Sequence, residues 1–184
     1  MKELTVGQLH QLRLQIFDNA ESLHKEAKLL LDHGYYARAY LLAYFSCEEL
    51  GKLPIIVGAV GCLESGATVD WKKVMKRFRD HKAKVDSDDM HQYMFGVDLD
   101  LVSDSDIKWL VDARKKSAGR VALKNKSTYV DVQDGRVVLP LNEIDVNHAT
   151  KMLERAFESL RAHWKAETLV NPALFAVLDE LEGR

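Results

Sequence analysis

The sequence predicts an all-α protein, built as a bundle of about five helices with one small β-hairpin insertion. Apolar residues recur at three- and four-residue intervals through most of the chain, which is the spacing of one face of an α-helix. The exception is the segment 127–139, where apolar and polar residues alternate around Asp134-Gly135, a pair typical of a tight hairpin turn. A chain of 184 residues has the length of one domain, so we expect a single domain over residues 1–184.

The first two predicted helices form a pair joined at Gly34, a residue that suits the left-handed position at the end of a helix. The second is predicted as one helix over residues 35–63, bent at Pro54 because the proline ring removes a backbone hydrogen bond. Gly58 and Gly61 lie three residues apart on this helix and predict the close approach of another helix.

The remaining elements follow from apolar spacing and from capping residues. Asp and Ser residues before an apolar run indicate where a helix begins, and a proline indicates its first turn. The predicted boundaries are a first helix at 5–33, a third at 70–85, a turn at 86–89, a partly helical segment at 90–102, a fourth helix from Ser103 or Ser105 to about 117, a fifth at 142–170 and a short terminal helix capped by Asn171-Pro172.

Charge is distributed unevenly along the chain. The net charge is only −2, so the molecule as a whole has no basic field that would hold nucleic acid, and any nucleic-acid site must be local. A basic run is usually a solvated helix face, but two runs on an acidic protein also suit a phosphate-binding surface. The two runs contain Lys72, Lys73, Lys76, Arg77, Arg79, His81, Lys82 and Lys84, and then Arg114, Lys115, Lys116, Arg120, Lys124 and Lys126.

Cysteine use and hydropathy favour a cytoplasmic protein that does not enter a membrane. Cys47 and Cys62 would be about 22 Å apart on one continuous helix, which is too far for a disulfide. The first residues do not resemble a secretory signal, so we expect a reducing cytoplasm. The longest apolar run, residues 53–63, is shorter than the roughly 20 residues that span a bilayer.

A charged stripe crosses the otherwise apolar second helix. One side of its helical wheel carries Arg38, Glu48, Glu49 and Lys52. One interpretation is a set of internal salt bridges, in which Glu48 pairs with Lys52 and Glu49 pairs with Arg38 through a neighbouring helix. The other is a functional site, since buried charges must be paired or put to use.

Four blocks of sequence occur in the order found in one bacterial family. They are Ala37-Arg-Ala-Tyr-Leu-Leu-Ala with Glu48-Glu-Leu-Gly-Lys52, then Phe78-Arg-Asp-His81-Lys-Ala-Lys84, then Lys126-Ser-Thr-Tyr129-Val-Asp131, and then Pro140 before a long closing helix. Over roughly residues 15–165 the chain resembles the AbiV family of abortive-infection proteins, a branch of the HEPN superfamily. The resemblance implies a HEPN-like helical bundle, a role in anti-phage defence and a homodimer, with no cofactor.

The resemblance also implies metal-independent ribonuclease chemistry on RNA. Such chemistry needs an imidazole that exchanges a proton with the ribose 2′-hydroxyl, and cations that hold the charge developing on phosphorus. No metal site is expected. The catalytic candidates are His81, Arg77, Lys84, Glu48, Glu49 and Lys52, and the candidates for substrate contact are Arg38, Arg79, Lys82 and Tyr129.

One departure from the HEPN pattern bears on this expectation. HEPN ribonucleases carry an Arg and a His separated by about four to six residues. Here three residues separate Arg77 from His81, and seven separate Arg155 from His163. A histidine beside basic residues is also commonly a plain surface residue, and a hairpin tyrosine such as Tyr129 is commonly a packing residue. Both interpretations of His81 stay open at the level of sequence.

Two other functions fit parts of the sequence. A group of acidic residues and a histidine has ligand types that a divalent ion accepts, although it lacks the glycine and the final glutamate of a Ca²⁺ loop. This group is Asp86, Asp88, Asp89 and His91. The protein is alternatively a non-enzymatic interaction module that senses or sequesters a phage protein and arrests translation. In that case the charged stripe is structural and a face of the bundle is the working surface.

Overall fold

The computed structural model describes residues 3–95 and 104–170, which form a helical bundle with one β-hairpin. The predicted all-α fold with a small hairpin insertion is confirmed. None of the helices in these two ranges combines the length and hydropathy that a bilayer crossing needs. The elements are α1 (Val6–Asp32), α2 (Tyr36–Leu50), α3 (Leu53–Glu64), α4 (Trp71–Arg79), α5 (His81–Phe95), α6 (Asp104–Thr128), β1 (Asp131–Gln133), β2 (Arg136–Val138), α7 (Pro140–Glu143) and α8 (Val146–Val170).

α2 is the central helix, packed against α1, α5, α6 and α8. Ala39 and Ala43 are fully buried on it, and such small side chains let neighbouring helices come close. One core cluster joins α2 to α8 through Tyr40, Tyr44 and Met152. A second core cluster joins α1 to α3 and α4, and its buried members are Leu9, Ile16, Ala20, Leu50, Leu53, Ile56, Ala59, Trp71 and Leu160.

The predicted second helix is in fact two helices, and this prediction was wrong. The helix is interrupted at Gly51-Lys52, so Cys47 and Cys62 lie on different helices, α2 and α3. Both cysteines are free. Pro54 does not bend a helix, because it lies in the first turn of α3, where its missing N–H needs no partner.

Gly51 is the glycine at which another helix comes close. A Cβ built there would lie 2.1 Å from the backbone carbonyl oxygen of Lys84, so any larger residue would push α5 away from α2. The close approach predicted at Gly58 and Gly61 was wrong for the described part of the chain, where a Cβ at either position meets no atom within 4 Å. The glycine that matters therefore lies at the break between α2 and α3.

The predicted helix over residues 70–85 is also divided in two. α4 starts after Asp70, whose side chain accepts a hydrogen bond from the Lys73 amide, and it ends at Asp80, which has extended backbone (φ −81°, ψ 112°). Asp80 then caps α5 by accepting a hydrogen bond from the Ala83 amide at 3.1 Å. The turn predicted at residues 86–89 was wrong, because these residues lie inside α5.

The hairpin follows the prediction, although its strands are short. β1 and β2 pair antiparallel with Val132 opposite Val137. Asp134 and Gly135 both have positive φ, 50° and 74°, as a two-residue turn of type I′ requires. The turn chemistry of Asp-Gly therefore sets the hairpin.

Two helices of the second half differ in length from their predicted bounds. α6 continues to Thr128 instead of ending near residue 117. α8 begins at Val146 instead of 142, because Pro140 starts the short helix α7 first. The terminal helix predicted after Asn171 and most of the segment 90–102 lie outside the described residues.

Candidate functional site

Three residues of α2 and α5 form one charged group, called here the Glu48 cluster: Glu48, His81 and Lys84. Glu48 lies in the last turn of α2 and is only 4% exposed. Its Oε1 accepts a hydrogen bond from Nδ1 of His81 at 2.6 Å, and its Oε2 accepts one from Nζ of Lys84 at 2.7 Å. The Lys84 side chain is 9% exposed, whereas that of His81 is 52% exposed. A buried carboxylate thus holds a solvent-facing imidazole.

The two points at which one helix ends and the next begins explain why these residues meet. The break at Asp80 makes His81 the first residue of α5, so His81 and Lys84 are three residues apart on one helical face. Gly51, directly after α2, allows the α5 backbone to approach closely enough for both side chains to reach Glu48. Of the two interpretations of the charged stripe, the internal pair of Glu48 with Lys52 is wrong, because Glu48 binds His81 and Lys84 instead.

The neighbouring Glu49 makes a different pair. It binds Lys52 within the same turn, and both side chains are 20% exposed. The predicted pairing of Glu49 with Arg38 was wrong, because Arg38 is exposed and its Nη1 instead lies 3.5 Å from the Ser127 carbonyl oxygen. The charged stripe is therefore divided between separate contacts and does not converge on one point.

The other candidates lie on the surface. Arg77 and Arg79 are exposed near the end of α4, and within residues 3–95 and 104–170 neither has a hydrogen-bond or ion-pair partner. Lys82 is exposed and pairs with Asp86 at 3.2 Å. Tyr129, just after α6, is 66% exposed. Among the predicted site residues in the described part of the chain, His81 and Lys84 both contact Glu48, and Glu49 and Lys52 contact each other.

A second charged group, the Asp89 cluster, joins α5 to α6 and α8 and was not predicted. Asp89 has no exposed surface and accepts hydrogen bonds from Nη2 of Arg120 with both of its oxygens, at 2.7 and 3.0 Å. Arg155 also binds Asp89. The cluster consists of Asp88, Asp89, Arg120, Arg155, Ser159 and His163.

Asp88 links this cluster to two histidines. Its Oδ1 accepts a hydrogen bond from Ser159 and lies 3.5 Å from Nε2 of His163. The His163 ring stacks on His91, with ring centroids 3.6 Å apart and planes 7° from parallel. The buried imidazole of His163 and the half-buried imidazole of His91 thus cover one end of the cluster.

Burial and pairing set the protonation of these groups. Burial opposes ionisation of Asp88, but His163, Arg155 and Ser159 together hold its pKa below the usual value. Burial raises the pKa of Asp89 despite its two arginine partners. Burial also lowers the pKa of His91 to about 3, so this imidazole is neutral at pH 7.

The acidic residues of α5 have partners other than a metal. Asp86 pairs with Lys82, while Asp88 and Asp89 contact the cations of α6 and α8. Within the described part of the chain, no three His, Cys, Asp or Glu residues are placed to hold an ion. One signal could have revealed the Asp89 cluster: Arg155, Ser159 and His163 recur every four residues and form a polar stripe on α8.

A family model described as HEPN_AbiV, AbiV, matches residues 8–161. The chain belongs to the AbiV family of the HEPN superfamily. The matched residues span both charged clusters except for His163. No curated protein and no solved structure matches the chain significantly. AbiV membership indicates a role in abortive infection, the defence of a bacterial population against phage.

Proposed function

We propose that this AbiV protein arrests infected cells by cleaving RNA without a metal ion, with His81 as the general base. The observation that carries the proposal is the Glu48–His81 hydrogen bond. Because a carboxylate can only accept, the His81 proton lies on Nδ1 and the Nε2 lone pair points away from Glu48. An imidazole that is oriented by a buried carboxylate and still open to solvent is suited to proton transfer.

The proposed reaction is internal transesterification of the RNA backbone. Nε2 of His81 takes the proton of a ribose 2′-hydroxyl, and the 2′-oxygen then forms a bond to the adjacent phosphorus. The bond from phosphorus to the 5′-oxygen breaks, and this oxygen leaves with a proton returned from the imidazolium or from water. The products are a 2′,3′-cyclic phosphate end and a 5′-hydroxyl end.

The other candidates have distinct proposed roles. Lys84 is a positioning residue, since its buried ammonium neutralises Glu48 and fixes the carboxylate that orients His81. Arg77 and Arg79 are exposed cations near His81 in sequence and are proposed to bind phosphate, with Lys82 beside them. Glu49 and Lys52 neutralise one another next to the cluster, and Arg38 and Tyr129 are proposed to contact RNA farther from the reacting bond.

The experiment is cleavage of a labelled RNA by the purified protein in the presence of a chelator. The wild type should give ends that carry 2′,3′-cyclic phosphate, and His81→Ala should lose at least about 100-fold in rate. His33→Ala is the matched control, because His33 is also exposed and, within the described residues, the hydrogen-bond partner of its ring is the Leu29 carbonyl oxygen. Equal rates for His81→Ala and wild type would contradict the proposal.

The homodimer implied by the HEPN resemblance is part of the same proposal. One chain has a mass of 20.9 kDa, so light scattering at micromolar concentration should give about twice this mass. A mass equal to that of one chain would contradict the dimer without affecting the assignment of His81.

An interaction module that binds a phage protein is the second candidate function. The hairpin favours it, because Tyr129, Val130, Val132 and Val137 are each 61–68% exposed, an unusual concentration of apolar surface. If this surface causes the arrest, Val132→Lys should abolish growth arrest on infection, while His81→Ala should leave it unchanged. The reverse result supports the nuclease.

A further inference from the structure

A cleft between α6 and α8 lies outside the Glu48 cluster and has an unusual charge. Its volume is about 490 Å³, within the range of small-molecule sites. Among the described residues, its lining includes five lysine and arginine side chains and no carboxylate. The lining residues are Tyr40, Lys115, Lys116, Gly119, Arg120, Leu123, His148, Lys151, Met152 and Arg155.

The two arginines of the cleft are held rigidly. The side chains of Arg120 and Arg155 are only 13% and 17% exposed, and both bind the buried carboxylate of Asp89. The Asp89 contacts of Arg120 use Nη2 alone, and its Nη1 and Nε have no hydrogen-bond partner within residues 3–95 and 104–170. A guanidinium fixed in this way keeps donors in place for a second anion.

The lysines at the rim add charge that is little neutralised. Lys116 and Lys151 are exposed, and in the described part of the chain no acidic group pairs with either. Lys115 has only a distant partner, Asp112 at 4.0 Å. His148 is the exception, since it pairs with Asp145 at 2.8 Å. Counted over residues 3–95 and 104–170, the side chains that line the cleft carry a net positive charge.

The remaining lining is apolar. Leu123 and Met152 lie on opposite helices of the cleft, and Tyr40 of α2 is buried between them, with its hydroxyl donating to the Arg120 carbonyl oxygen at 3.3 Å. Tyr40 and Met152 are buried beneath the cleft, whereas Leu123 is partly exposed, and inorganic phosphate alone would leave this apolar side chain without a partner. A ligand with phosphate groups attached to an apolar or aromatic scaffold would use both kinds of surface.

We propose that the cleft between α6 and α8 is a binding site for an organic phosphate. The phosphates would contact Arg120, Lys116 and Lys151, and the scaffold would lie against Leu123, above the buried Met152 and Tyr40. This chemistry has two sources, a free small molecule and a segment of an RNA strand. The second source rests on the proposed function and would make the cleft an RNA-holding surface separate from His81.

The test is titration calorimetry of the full-length protein with two probes, magnesium-free ATP and a ten-nucleotide single-stranded RNA. The protein carries His81→Ala, so that the RNA survives and binding is measured independently of cleavage. Lys116→Glu and Lys151→Glu, both exposed and outside the Glu48 cluster, should each weaken binding about tenfold or more. The matched control is Lys25→Glu, an exposed lysine of α1.

Each result has a definite meaning. Binding of ATP that is lost in the charge reversals supports a free small molecule, and binding of RNA alone with the same loss supports a strand segment. Failure of both probes to bind, or reversals no weaker than the Lys25→Glu control, would overturn the proposal. Because cleavage is not the readout, failure here leaves the His81 assignment standing.

Discussion

The two charged clusters on α5 differ in how much of them solvent reaches. In the Glu48 cluster a buried carboxylate holds an imidazole whose side chain is 52% exposed. In the Asp89 cluster, one turn later on the same helix, Asp88, Asp89 and His163 are 2% exposed or less. Both clusters use a carboxylate, a cation and a histidine, so residue types do not separate them. The two clusters differ in exposure. The exposed imidazole suits the Glu48 cluster to proton transfer, whereas burial suits the Asp89 cluster to holding α5, α6 and α8 and the two arginines in place.

The largest expected effect is removal of the buried carboxylate of the Asp89 cluster. Asp89→Ala removes the buried carboxylate that binds both Arg120 and Arg155 and should lower the free energy of unfolding by about 3–5 kcal/mol. Asp86→Ala on the same helix, which breaks only the exposed pair with Lys82, should cost less than about 1 kcal/mol. Urea denaturation measures both. Equal costs would mean that burial does not distinguish these carboxylates.

A smaller effect should separate the two glutamates of α2. Glu48→Ala leaves the buried ammonium of Lys84 unpaired and should cost roughly 2–4 kcal/mol. Glu49→Ala breaks a contact within one turn to the partly exposed Lys52 and should cost about 1 kcal/mol. Thermal unfolding of the two variants compares them directly. A larger loss of stability in Glu49→Ala would contradict the view that Glu48 is the glutamate whose charge stabilises the fold.

The smallest effect is a change in pH dependence at the covered end of the Asp89 cluster. The pKa of His91 is about 3 in the folded protein, below its ordinary value of 6.5, so between these values only the unfolded chain binds the proton. Above pH 6.5 this titration therefore does not affect the free energy of unfolding, and as the pH falls from 6.5 toward 3 it lowers the free energy of unfolding.

His91→Phe keeps an aromatic ring at this position and removes the group that titrates. Between pH 7 and pH 5 the wild type should lose on the order of 1–2 kcal/mol more stability than the variant. Burial also lowers the pKa of His24, but His24 is present in both proteins and cancels from the difference. Parallel stability curves for the two proteins would contradict the lowered pKa of His91.

Local sequence signals predicted those elements that depend on local chemistry. Gly34 has φ of 79°, and Asp134-Gly135 forms the hairpin turn, because each position needs a left-handed backbone that few residues adopt. The contact of His81 with Glu48 was within reach of the sequence because the family resemblance placed both residues in one site. These features depend on neighbouring residues or on a motif visible in the chain.

The rest depends on residues far apart in sequence. Residues 86–89 have the composition of a turn, yet Asp89 is bound by Arg120 and Arg155, which lie 31 and 66 residues away. Those distant partners favour helix where local propensity does not. The close approach of the α5 backbone to Gly51 likewise involves a residue far away in sequence, Lys84.

The most direct test of the central claim is growth arrest by the His81→Ala protein in cells. Expression of the wild type should arrest growth, while His81→Ala, expressed to the same level and with an unchanged unfolding temperature, should not. Glu48→Gln, which keeps the shape of the side chain but weakens its hold on Nδ1, should arrest growth only partly. Full arrest by a stable His81→Ala protein would contradict the account.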